Sequence, residues 1–191
     1  DQTHIVVIQG LGVENGHVKT LLSRHPSLSK VTTLFRGEGD AMPADTDLIQ
    51  LYSKRILALA ADIPLTKPLE ACAGSAKRRS PLCGSTVTAC VDMQDGKISQ
   101  FSQDVKACAL GQASASVLGG AVVGKSREEI AEARESVRAM LKDGAEPPTG
   151  AFEEIEVLSP ARDYKNRHAS ILLAWDATLD AIDQAAEAKT G

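Results

Sequence analysis

The chain has 191 residues, is 43% hydrophobic and carries a formal charge of -4 at pH 7. Those values suit one soluble domain with a full core, or one domain plus an extension. They exclude nucleic-acid binding, because no dense basic face is available to neutralise phosphates, and no apolar run approaches the ~20 residues that span a bilayer.

The first block, residues 1–45, begins with Asp1 rather than Met, which fits a processed mature chain or a trimmed start. "HIVVIQGLGVENGHVKTLL" reads as a β-branched run through Ile5, Val6, Val7 and Ile8, a glycine turn and a helix. Its glycines are spaced GxGxxxG, and no complete βαβ unit with a ribose-binding acid follows, so a dinucleotide fold is not expected. The block is expected to be an N-terminal extension acting as a docking arm, closed by the linker "GEGDAMPADTD".

The second block, 46–191, carries the domain. Leu48, Leu51, Ile56, Leu57 and Leu59 fit an amphipathic helix opened by Asp45 or Asp47 and stopped at Pro64. "LEACAGSAKRRSPLCGS" reads as extended and irregular, with Lys77-Arg78-Arg79 a solvated edge. Val87, Ala89, Val91 and Met93 alternate with Thr88, Cys90 and Asp92, the period of a half-buried strand. Asp95-Gly96 supplies a tight hairpin, so Thr86–Met93 should pair antiparallel with about Lys97–Asp104. "CALGQASASVLGGAVVG" is a helix of small residues suited to close packing. Ser126 and Glu129 form a capping box for a helix burying Ile130, Val137 and Leu141. "FEEIEVLSPARDY" reads as a short extended segment. The last helix places Ile171, Trp175, Thr178, Leu179 and Ile182 on one face.

Four cysteines, Cys72, Cys83, Cys90 and Cys108, contain no CxxC pair, and a domain of this size needs no disulfide framework, so a reducing compartment is expected. Cys83 precedes Gly84, where the backbone can bend. Cys108 stands just before a helix, where unpaired amides favour a thiolate, and His168 stands at the entrance to the last helix. Three such groups at element ends suit a soft metal or an iron–sulfur cluster. Buried inert cysteines and a helix-capping histidine are the competing reading. Cys90 lies seven residues from Cys83, about 23 Å if fully extended, which makes it a buried or strand-face thiol instead of a ligand. Cys72 reaches that pole only if its segment folds back.

The stretch from "PLCGSTVTACVDMQDG" through "KACALGQASASVLGGAVVGKSREE" resembles the NifU/IscU-type iron–sulfur cluster scaffold family in the order and spacing of its motifs. The resemblance runs from about Asp47 to Gln184. It implies an α+β fold, a small mainly antiparallel sheet of about three strands packed by helices. It puts the family's first two cysteine ligands on Cys83 and Cys108 and its aspartate on Ser85. Its third cysteine falls on Ala169 when the histidine is aligned, or on Ser170 when Trp175 is aligned. The credible metal ligands are then Cys83, Cys108 and His168, with Asp163 a distant fourth. The chaperone-recognition motif LPPVK of housekeeping scaffolds is absent before the last helix.

Two functions follow from the resemblance. With incomplete ligands, the chain is expected to be a non-catalytic accessory subunit with no tightly bound cofactor. It would be held through residues 1–45 in a larger assembly on the mitochondrial matrix side, with respiratory complex I (NADH dehydrogenase) the named candidate. The alternative is a working scaffold, in mitochondria or a bacterial cytoplasm, that receives sulfur from a cysteine desulfurase and holds a labile iron–sulfur cluster. A zinc-loaded regulator of the desulfurase would use the same three ligands plus water, and loosely held iron is the other metal expected there.

Overall fold

The computed structural model describes residues 53–81 and 84–190, which belong to the unit Ala41–Gly191. The expected extension 1–45, its apolar run and Leu48 and Leu51 lie outside the described residues.

Helix α1 (Lys54–Ala61) opens on Ser53, whose hydroxyl accepts the Ile56 amide, not on an upstream aspartate. Its eight residues turn Ile56 into the core, while Leu57, expected on the same face, is 48% exposed. Adjacent residues sit about 100° apart on a helix, and this one, packed on one side only, buries Ile56 and leaves Leu57 outside. Three strands follow, β1 (Gly74–Arg79), β2 (Thr86–Gln94) and β3 (Lys97–Lys106), in an antiparallel sheet ordered β1-β2-β3. The expected hairpin forms with Thr88 opposite Asp104. Asp95 and Gly96 both take positive φ, 52° and 74°, as a two-residue turn between twisted strands requires. Val87, Ala89 and Val91 are buried as the alternation predicts. Met93 is only half-buried, because the register slips between Asp92 and Met93.

The stretch read as irregular contains β1. Its alternation is hidden by small residues: Gly74 and Ala76 are buried against the last helix, while Lys77, Arg78 and Arg79 are exposed along the edge. A β-carbon on Gly74 would lie 1.9 Å from the Ala181 carbonyl oxygen, so only glycine lets the strand approach so closely. The other flank of the sheet is tied to its own chain. Ile98 N–H donates to the Lys125 carbonyl, Gly124 N–H to the Ile98 carbonyl, and Gln103 N–H to the Leu65 carbonyl.

The helices α2 (Ala109–Ala121), α3 (Arg127–Lys142) and α4 (Lys165–Thr190) complete the core. The Ser126–Glu129 capping box is present in both directions. Helix α4 packs between the sheet and helices α2 and α3, and so buries Leu172, Leu173 and Ala177 besides the expected Ile171, Trp175, Thr178 and Ile182. Between α3 and α4, Gly150–Asp163 is a run of 3₁₀ turns, not an extended segment. Phe152, Ile155, Leu158 and Ala161 are buried at every third position, matching three residues per turn.

Residues 62–73 form a strap across the outer face of the sheet. Ala73 N–H donates to the Asp92 carboxylate at 2.8 Å, and Cys72 is disulfide-bonded to Cys90 with their Cα atoms 5.8 Å apart. The expectation of unpaired cysteines is therefore corrected for these two. The strap brings Cys72 back just beyond β1, beside the strand-face thiol of Cys90, although 18 residues separate them in sequence.

Candidate functional site

The site lies where the start of α2 meets the first turns of α4. Cys108 is the residue before α2, in extended conformation, and its side chain makes no capping bond. It is half-buried and is the free cysteine among the described residues. Its Sγ lies 3.4 Å from Ser170 Oγ, which in turn lies 3.2 Å from Ser85 Oγ. Two hydroxyls and a thiol thus form one hydrogen-bonded chain, with both serines buried.

Small residues hold this chain in place. A β-carbon on Gly111 would lie 2.6 Å from Ser170 Oγ and 3.0 Å from the Ser170 carbonyl oxygen, so α2 offers bare backbone to Ser170 here. One turn along, Ser114 donates to the Ile171 carbonyl at 2.7 Å and accepts from the Trp175 indole at 2.9 Å. Ser116 donates to the Asp62 carbonyl. The Ala-Ser-Ala-Ser run of α2 therefore locks α4 and the strap at fixed height beneath the site. Phe152 packs edge-on against Trp175, with ring centroids 5.1 Å apart. On the other side, Ser80 N–H donates to the Ser85 carbonyl, and Gly84 takes φ of 70°. That left-handed turn delivers Ser85 to the cluster, and it is the bend expected beside Cys83. Cys83 itself lies outside the described residues, and with it the expected approach of Cys83 to Cys108.

His168, expected as a ligand, does not join the cluster. Its Nε2 lies 3.1 Å from the Ala161 carbonyl oxygen and 3.0 Å from that of Arg162, and the residue is 6% exposed. Carbonyls only accept, so Nε2 carries the proton, and the ring closes the C-terminal end of the 3₁₀ run. Two residues along a helix is a turn of about 200°, which places His168 and Ser170 on opposite faces of α4. Ala169 lies with His168 along a cavity on the other side of α4, and Ser170 is the one of the two whose side chain reaches Cys108. Asp163 lies with His168 on the far side of α4.

Among the described residues, no three or more His, Cys, Asp or Glu side chains gather closely enough to hold a metal ion. Among the described residues the cluster offers one thiol and two neutral hydroxyls. Iron–sulfur clusters are held by four thiolates, with imidazole replacing some of them. Serine hydroxyls supply neither the softness nor the charge of those ligands, and Cys83, the other thiol that the resemblance puts at the site, lies outside the described residues.

No family model matches the chain. It is similar to the crystal structure of a nitrogen-fixing NifU-like protein (N-terminal) from Brucella abortus, at 42% identity and a TM-score of 0.71, covering 74% of this chain and 98% of that one. It also resembles the iron–sulfur cluster assembly scaffold protein IscU of Streptococcus pyogenes serotype M1, at 28% identity over 58% of this chain and 69% of the relative. The IscU scaffold of Thermotoga maritima is 24% identical over 69% of this chain and 92% of its own length. The chain belongs to the IscU/NifU-like iron–sulfur cluster assembly scaffold family.

Proposed function

We propose that this chain is a non-catalytic accessory member of the scaffold family, which keeps the fold as an interaction platform and no longer holds a cluster firmly. The observation that carries the reading is the Ser85–Ser170–Cys108 chain. Two ligand positions carry hydroxyls that satisfy each other by hydrogen bonding. On this reading the partner is a larger assembly engaged through residues 1–45, on the mitochondrial matrix side, with respiratory complex I the candidate. That compartment, like a bacterial cytoplasm, reduces thiols, so the Cys72–Cys90 bond would persist only where the strap shields it.

A second reading, a working scaffold, is favoured by the retention of Cys83 and Cys108 at two ligand positions and by 42% identity to a NifU-like protein. The cluster would then be cargo, held transiently with external thiols and built on sulfur from a cysteine desulfurase. Anaerobic reconstitution with iron and sulfide separates the two. The accessory reading expects wild type to retain far less than one cluster per chain after gel filtration, and Ser85→Asp/Ser170→Cys to retain several-fold more. A stoichiometric cluster on the wild-type chain would overturn it in favour of the scaffold.

A further inference from the structure

A cavity of about 820 Å³ is a different place from the hydroxyl–thiol cluster. It opens on the opposite face of α4, between that helix, the end of β1, the last turn of α3 and the end of the 3₁₀ run. Six cationic side chains line it, Arg78, Arg79, Arg134, Lys142, Arg162 and Lys165, against two carboxylates, Asp163 and Asp176. This concentration stands on a chain whose net charge is -4.

Internal pairing does not neutralise it. Arg78 is bound by Asp180 and Arg134 by Asp176, the latter at 2.9 Å. Arg79, Lys142, Arg162 and Lys165 have no ion-pair partner among the described residues. Holding four unpaired cations around one concavity costs self-repulsion, which a bound anion would relieve. Arg162 is also positioned: its Nη1 lies 3.3 Å from where a β-carbon on Gly144 would sit, so the glycine turn after α3 makes room for it. His168 anchors the backbone beneath, through the carbonyls of Ala161 and Arg162. The floor is apolar, formed by the buried Leu141, Leu172 and Leu173. A cavity of this volume, with apolar floor and convergent polar rim, has the form of a small-molecule site.

We propose that this cleft binds an organic phosphate, its charged head on Arg79, Lys142, Arg162 and Lys165 and its apolar body on Leu141, Leu172 and Leu173. Guanidinium groups match phosphate oxygens in a bidentate fork, and the leucine floor gives a bare inorganic ion nothing to hold. The site is independent of the proposed accessory function.

The test is calorimetric titration of the full chain at low salt with inorganic phosphate, ADP and octyl phosphate. ADP represents a soluble nucleotide and octyl phosphate a lipid-like ester. At least one of the two organic phosphates should bind about tenfold tighter than inorganic phosphate, and weaken as salt is raised. Arg79→Gln/Arg162→Gln should lose about tenfold in affinity. Lys142→Gln, an exposed change at a helix end, should also weaken binding and decides the matter if the double variant does not fold. Lys106→Gln, outside the cleft, should bind as wild type. No binding by either organic phosphate, equal binding of all three probes, or affinity unchanged in the cleft variants would overturn the proposal.

Discussion

Ser170 and Ala169 differ by one position and by the whole character of the site. Sequence spacing left both open for the family's third thiol, because the histidine and the tryptophan that flank them give alignments one residue apart. The rotation of α4 turns Ser170 towards Cys108, and Gly111 presents bare backbone to the Ser170 side chain there. Gly111→Ala should therefore cost about 1–3 kcal/mol by forcing a methyl against Ser170. Urea denaturation of the variant measures it, and wild-type stability would mean the helices are not in such close contact. The direction of the His168 ring was equally illegible: its partners are two backbone carbonyls, which no sequence pattern displays. By contrast Cys108 before α2, the Asp95-Gly96 turn and the Ser126–Glu129 box were readable, because each is a local rule acting over at most four residues.

At the scale of elements, the strap shows what a pass along the chain misses. Residues 62–73 have no periodicity of their own; they are ordered by what they cross, including Gln103, whose side-chain amide donates to the carbonyls of Pro64 and Ala115. Closing an 18-residue loop by a disulfide stabilises mainly by restricting the unfolded chain. Cys72→Ser should lower unfolding free energy by about 3 kcal/mol while leaving the sheet formed. Equal denaturation midpoints for oxidised wild type and the variant would show the bond contributes nothing. The 3₁₀ run is legible in principle, since its apolar residues recur every third position, although the stretch reads as a short extended segment. Helix α3 is tied to α4 by Arg127 and Asp183, whose second guanidinium–carboxylate contact is 2.9 Å. The hydrogen bond from Arg127, then its charge, holds the Asp183 carboxyl below its ordinary value. A depressed carboxylate stabilises the fold above its unfolded pKa and loses that contribution as pH falls through the folded value. The stability gap between wild type and Arg127→Gln should thus be present above about pH 4 and close below it. Both groups are largely solvent-accessible, so the gap should be small. A gap that widens on acidification would refute the pairing.

For the molecule as a whole, the family was legible because its motifs keep order and spacing over most of the chain, while the ligand losses were legible as single letters. The disulfide was not, because the pairing depends on a fold-back that the cysteine spacing does not encode. The unit Ala41–Gly191 contains every described strand and helix, together with the core they enclose. Deleting residues 1–45 should leave it folded, with unchanged cooperative unfolding, and on the accessory reading should weaken its recovery with a larger assembly from the native host. Undiminished co-purification would remove the docking role from the extension. The arrangement of the sheet carries a different consequence, for how the protein behaves in crowded solution. One flank of the sheet is stitched to its own chain, and among the described residues no strand pairs with the outer edge of β1, whose row of backbone donors and acceptors a neighbouring molecule could extend. That row is lined by Lys77, Arg78 and Arg79, and two copies brought edge to edge would have to press these like charges together. The barrier to runaway strand exchange is therefore electrostatic. Because lysine and arginine keep their charge across the physiological range, acidity does not lower it, whereas concentrated salt does.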